Sequence, residues 1–222
     1  MLSFHNDPKL KEMLLTEIEN HRKADLINQG AYQVEIDGVK KYCAVGCSIN
    51  SLNIKLKKSY YVGDHSVYET ELGIPKEIAY LEDNIFENLP IEQAMLWPER
   101  FIEAIPIGVD LSKVIAKLMI WQFEDEKEGL SSMQEVKDDK EAYGFCEEVV
   151  ALYKRVLKGE TVTEDEFYNL YLKIDGAGAG AGAWAWAGAW ARARAGAEEQ
   201  KFFSILADKL ISLLEETENK KK

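Results

Sequence analysis

The chain of 222 residues has only three cysteines and three histidines. So few thiols, in odd number, cannot build a disulfide framework and suit a reducing compartment. Net positive charge is missing too: 27 basic against 39 acidic residues leave a formal charge of -12. That balance argues against a nucleic-acid binder held by phosphate contacts and against a binder of anionic membranes. The longest uncharged stretch, residues 176–191, is diluted by glycine and falls short of the ~20 apolar residues a spanning helix needs. The opening residues are mixed polar and charged, without a secretory leader pattern. No phosphate-cradling glycine motif, no H-E-x-x-H and no G-x-S-x-G occurs. The expectation is a soluble, cytoplasmic protein without a standard catalytic signature.

The remaining pattern is mostly helical. Asp7 and Pro8 open a helix, the first as cap and the second where its missing N–H costs nothing. Leu10, Leu14, Ile18, His21 and Asp25 recur near helical spacing to about Asn28, and Gly30 stops the run. Tyr32, Val34 and Ile36 then alternate with polar residues, and Asp37-Gly38 supplies a type I′ turn. The return strand, residues 39–45, carries Cys43 and Cys47 toward its far end. Tyr60, Tyr61 and Val62 suggest a further strand. After Pro75, Ile78, Leu81, Ile85 and Phe86 form a helical stripe. A helix over residues 91–104 must be kinked or divided by Pro98. Asp110 caps another, with Leu111, Val114, Ile115, Leu118, Met119 and Phe123 on a broad face. A charged connector over residues 124–139 leads to a helix bearing Tyr143, Cys146, Val149, Val150 and Tyr153, stopped by Gly159. Thr163 and Glu166 have capping-box spacing, and a terminal helix spans about residues 198–216. The expected fold class is mainly α with a small N-terminal β-hairpin (α+β), built as a helical bundle-like body. Residues 1–160 form the globular body and residues 161–222 a C-terminal helical region.

Residues 176–197 alternate Ala with Gly, Trp or Arg. At period two this reads as a silk-like strand, but a single strand of that length would reach roughly 70 Å. Period two also contains period four, which puts Gly178, Gly182, Trp186, Trp190 and Arg194 on one helical row. Ala favours helix, and each interior Gly costs about 1 kcal/mol, which close packing of a neighbour can offset. The tract is therefore expected as a closely packed helix. Trp184, Trp186 and Trp190 are candidate partner-binding residues, because Trp184 points away from the other two.

The best chemical constellation is Cys43-x-x-x-Cys47 with His21 and His65. Two thiolates and two imidazoles suit a four-coordinate Zn²⁺, although the spacing is not that of a standard zinc knuckle. The alternative is a nucleophilic Cys43 or Cys47 at a helix start near Gly46, with His65 as base and Asp64 or Asp25 orienting it. Set against both, cysteines at a strand end also serve as small buried apolar residues. His21 and Asp25, four apart, are expected to pair on the first helix. Cys146 lies among core-facing residues.

Several stretches resemble an uncharacterised family of small proteins encoded by bacteriophages and bacterial mobile elements. They are S-F-H-N-D-P-K-L-K at residues 3–11, H-R-K-A-D at 21–25, C-A-V-G-C at 43–47 and Y-E-T-E-L-G-I-P at 68–75. L-E-D-N-I-F-E-N-L-P at 81–90, W-P-E-R-F at 97–101, the Ala-rich tract and A-D-K-L-I-S-L-L at 207–214 continue it. The resemblance implies a phage-type origin, with no activity, cofactor or catalytic residue attached. Two functions stay open. The first is an accessory factor acting by protein–protein contact on a host or phage protein, with inhibition of a host defence system as one form. The second is a metal-dependent or cysteine-dependent enzyme using Cys43, Cys47, His21 and His65. Self-association through the small-residue tract is a third expectation; direct contact with nucleic acid or membrane is not expected.

Overall fold

The computed structural model describes residues 1–172 and 197–217. Its elements run α1 (Pro8–Lys23), β1 (Gln33–Ile36), β2 (Val39–Tyr42), α2 (Ala44–Leu56), α3 (Ser66–Leu72), α4 (Lys76–Asn88) and α5 (Ile91–Ala94). They continue as α6 (Trp97–Ala104), α7 (Val114–Glu124), α8 (Gln134–Asp138), α9 (Lys140–Lys158), α10 (Glu164–Leu172) and α11 (Ala197–Glu215). Short 3₁₀ turns lie at Ser3–Asn6 and Leu130–Ser132. The fold is mainly helical with one two-stranded antiparallel hairpin among the described residues. The alternating tract and its three tryptophans, Trp184, Trp186 and Trp190, lie outside the described residues. No described helix is long and apolar enough to cross a membrane.

Contacts divide the described residues into 1–112 with 197–217, and 113–172, where the sequence suggested a boundary after residue 160. The reason is that α11 returns to the first unit. It packs on α4 and α6, burying Phe202, Phe203, Leu206, Leu210 and Leu214. Around that seam α1 meets α2 and α6, and α2 meets α4. Leu14, Ile18, Ile49, Leu52, Phe86, Trp97 and Phe101 fill the interior. In the second unit α7 lies along α9. Met119 and Phe123 meet Cys146, Val149 and Tyr153 in its core, with Leu170 from α10.

Local chemistry explains most boundaries. Asp7 accepts Lys9 N–H at 2.9 Å, with Pro8 in the first turn. Asp139 accepts Glu141 and Ala142 N–H at 2.9 and 3.1 Å. Thr163 and Glu166 cap each other reciprocally. At the hairpin tip Asp37 and Gly38 have φ of +52° and +77°, as a type I′ turn requires. The register pairs Gln33 with Tyr42 and Ile36 with Val39.

Several local expectations are corrected. The first helix stops at Lys23, and Asp25 turns left-handed at φ +54°. The return strand ends at Tyr42, because residues 44–56 are helical. No strand forms at residues 60–62; a reciprocal clamp between Asn53 and the Tyr60 backbone, at 2.7 and 2.9 Å, folds that segment as a loop. The division expected of residues 91–104 is present: they form α5 and α6, with Pro98 in the first turn of α6. Asp110 instead holds Ser112 N–H at 3.0 Å, and the helix begins later, at Val114.

Candidate functional site

The site assembles where four segments meet in the first unit. Cys43 follows β2 directly and caps α2. Its backbone is extended, and its Sγ accepts Gly46 N–H at 3.3 Å. That first turn seats tightly beneath the residue preceding β1: a Cβ on Gly46 would lie 2.2 Å from the Tyr32 carbonyl oxygen. Beyond α2, the loop clamped by Asn53 brings Tyr60, Tyr61 and His65 back over the hairpin. α4 supplies Asp83 and Glu87, four apart and therefore on one face. The side chain of Gln29 caps the C-terminal end of α4, donating to the carbonyls of Phe86 and Leu89 at 2.6 and 3.0 Å. Gly30 N–H then meets Glu87 Oε2 at 2.6 Å.

His65 is 2% exposed. Its ring stacks on Tyr80 at 4.0 Å between centroids and takes the Tyr32 ring edge-on at 5.7 Å. Nδ1 lies 3.1 Å from the Gly63 carbonyl; a carbonyl only accepts, so this nitrogen carries a proton. Nε2 then faces Asp83 Oδ2 at 3.4 Å. His65 Nε2 and Asp83 Oδ1 are both buried without a hydrogen-bond partner. On the other side of Asp83 stands Cys43. The donor atoms of Cys43, Asp83 and Glu87 all lie within 4.8 Å of one another. Of these, Asp83 and Glu87 line a cavity of about 840 Å³, walled by Tyr32, Tyr60, Tyr61 and Val62, whereas Cys43 is fully buried.

The electrostatics are one-sided. Burial pushes the Cys43 thiol up, the Asp83 carboxylate adds to the rise, and Gly46 N–H opposes it. Burial and Asp83 likewise raise Glu87 against the pull of Gly30 N–H. Tyr32 is pushed up to about 12 by burial and then by Asp83. No lysine or arginine is among the described lining residues.

The structure brings together only part of the ligand set the sequence suggested. Cys43 and His65 both approach Asp83. Cys47 turns inward, its thiol donating to the Tyr42 carbonyl at 3.8 Å and raised by burial and by Glu82. His21 stacks on Tyr42 at 5.9 Å, with Nε2 3.4 Å from the Asn50 amide, and burial lowers its pKa. Among the described residues, the grouping Cys43, Cys47, His21 and His65 does not form a metal-sized cluster; Cys43, Asp83 and Glu87 do. His21 does not pair with Asp25, which binds Lys41 at 2.7 Å. Neither Asp25 nor Asp64 orients His65. Asp64 caps its own turn through Ser66, at 3.0 Å from the backbone N–H. Sequence reasoning missed Asp83, Glu87 and Tyr32. The available signal was the pair of carboxylates four apart on a strongly amphipathic helix.

A second polar cluster lies on the core side of α4. Glu82 is 0% exposed, and both its carboxyl oxygens lack a regular hydrogen bond, as do Tyr68 Oη and Ser48 Oγ. These groups nevertheless sit within interaction range of one another. Burial raises Glu82 well above the usual carboxyl range, against the pull of Tyr68.

Compared with protein-family models, with curated proteins and with solved structures, the chain matches none.

Proposed function

We propose that the protein is a metal-dependent enzyme acting on a small organic molecule. Cys43, Asp83 and Glu87 hold a divalent ion, and His65 handles protons beside it. The observation that carries this reading is the convergence of a thiol and two carboxyls within 4.8 Å, with no lysine or arginine in the described cavity lining. Burial raises Cys43 and Glu87, the Asp83 charge raises both further, and Glu87 adds to the rise at Cys43. A bound cation reverses that logic and makes the thiolate and both carboxylates stable together. The same repulsion argues against Cys43 as a free nucleophile, because its raised pKa keeps it a thiol.

Thiolate with carboxylate suits a borderline ion such as Zn²⁺. Three protein ligands, two of them lining an open cavity, resemble a catalytic arrangement more than a closed structural one. The ion would polarise a substrate oxygen or activate a water. His65, with Nδ1 fixed by Gly63 and Nε2 at Asp83, is placed to exchange the proton. The family resemblance adds a phage or mobile-element origin, with an accessory, partner-binding role as its alternative. The cavity favours the enzyme, since a contact surface needs no inward-facing thiol and carboxyls.

Calorimetric zinc titration with metal analysis of the purified protein tests the proposal. The expected result is one ion per chain, lost in Cys43→Ser and in Asp83→Asn/Glu87→Gln but retained in Cys47→Ala and His21→Ala. Equal zinc binding by wild type and the Asp83→Asn/Glu87→Gln variant would overturn it.

A further inference from the structure

A single ion fills little of an 840 Å³ cavity, and the remaining walls describe what else fits. Tyr32 and Tyr61 stand nearly perpendicular, 79° between planes with centroids 6.3 Å apart, so the two rings meet edge to face in the cavity wall. Tyr60 is in the same wall, and its ring already carries the Lys58 ammonium at 5.4 Å. Gly63 makes the edge-to-face contact possible. A Cβ there would lie 2.6 Å from the Tyr32 ring and 2.8 Å from the Tyr61 ring. Asp83 and Glu87 line the same cavity.

We infer that the cavity selects an organic cation: a small molecule bearing an ammonium group, its charge toward Asp83 and Glu87 and its alkyl groups against the Tyr32 and Tyr61 rings. Aromatic faces attract ammonium ions through their quadrupole, most strongly where water is excluded. The described lining offers no lysine or arginine to pair with a phosphate or carboxylate ligand. A divalent ion on one thiolate and two carboxylates leaves a charge of about -1 by formal count, so the preference survives metal loading. The inference rests on the cavity being the working site, but not on the ion being zinc.

Calorimetry with choline and its neutral carbon isostere, 3,3-dimethylbutan-1-ol, tests it on zinc-loaded and zinc-free protein. Choline is expected to bind at least about tenfold more tightly than the isostere. Tyr61→Ala, at an exposed position, weakens choline about two- to fivefold, whereas Tyr61→Phe keeps it. Gly63→Ala weakens it by displacing both rings. Equal binding of the neutral isostere, or absence of choline binding, overturns the inference. Zinc binding without choline binding sinks this inference and leaves the metal reading standing; choline without zinc does the reverse. A trimethyllysine peptide run in parallel separates a free molecule from a protein side chain. Binding of the peptide alone overturns the small-molecule assignment.

Discussion

Replacing Glu82 with Gln is expected to remove a pH dependence of stability that the buried acid creates. Glu82 is 0% exposed, and neither of its carboxyl oxygens has a regular hydrogen bond. Burial is the main cause of its raised pKa, Tyr68 works against the rise, and neighbouring Asp83 adds to it. The folded state therefore holds a proton that the unfolded chain releases near pH 4.3. Stability changes with pH in proportion to protons bound unfolded minus protons bound folded, which is -1 over this window. Stability from this group is complete below the unfolded value and falls by about 1.4 kcal/mol per pH unit above it, until Glu82 ionises in the folded protein. Glutamine keeps the shape and cannot ionise. Urea unfolding at pH 5, 6 and 7, in chelator so that metal linkage does not intrude, gives both slopes. Glu87 and the cysteines are common to both proteins and cancel in the comparison. Wild type should lose stability more steeply than Glu82→Gln, by up to about 1.4 kcal/mol per unit wherever Glu82 stays protonated in the fold. Parallel pH profiles would refute the reasoning, because they would mean that Glu82 reaches water or a cation when folded.

Two further substitutions probe how the framework holds the site. Gly46→Ala drives a methyl group against the Tyr32 carbonyl oxygen, a backbone atom that cannot swing aside. Thermal melting should show a loss of about 1–3 kcal/mol, with weaker zinc binding as Cys43 shifts. Asp139→Ala removes the acceptor for two N–H groups at the start of α9. Chemical denaturation should show a loss of about 1 kcal/mol with zinc binding unchanged, since α9 belongs to the other unit.

Amphipathic helices and the hairpin turn were readable because each depends on a local rule. The Ile78, Leu81, Ile85 and Phe86 stripe is buried almost throughout, and Asp37-Gly38 adopts the left-handed φ values its turn needs. α2 was legible only as a helix start near Gly46, because its first turns are buried on every side, from Ala44 through Ile49; a helix without a wet face shows no period. Its cap is a thiol, outside the usual oxygen-bearing cap residues. Tyr60, Tyr61 and Val62 carry β propensity, but tertiary clamping by Asn53 overrides it. The site was half legible. Cys43 and His65 are rare residue types and draw attention in any sequence. Asp83 and Glu87 look like an ordinary solvated face opposite an apolar stripe, and only the return of the loop over residues 57–65 turns that face into a cavity wall.

Glu82 and Asp83 are consecutive on α4, one carboxyl sealed in the interior and the next bordering the cavity. A helix advances about 100° per residue, so one added or deleted residue upstream in α4 would rotate both groups into the wrong surroundings at once. A deletion would bring Asp83 to the interior position and Asn84 to the cavity, and an insertion would bring Leu81 and Glu82 there. Length variation is therefore forbidden inside this helix, while the hairpin tip, exposed and anchored only by its own ladder, is free to vary.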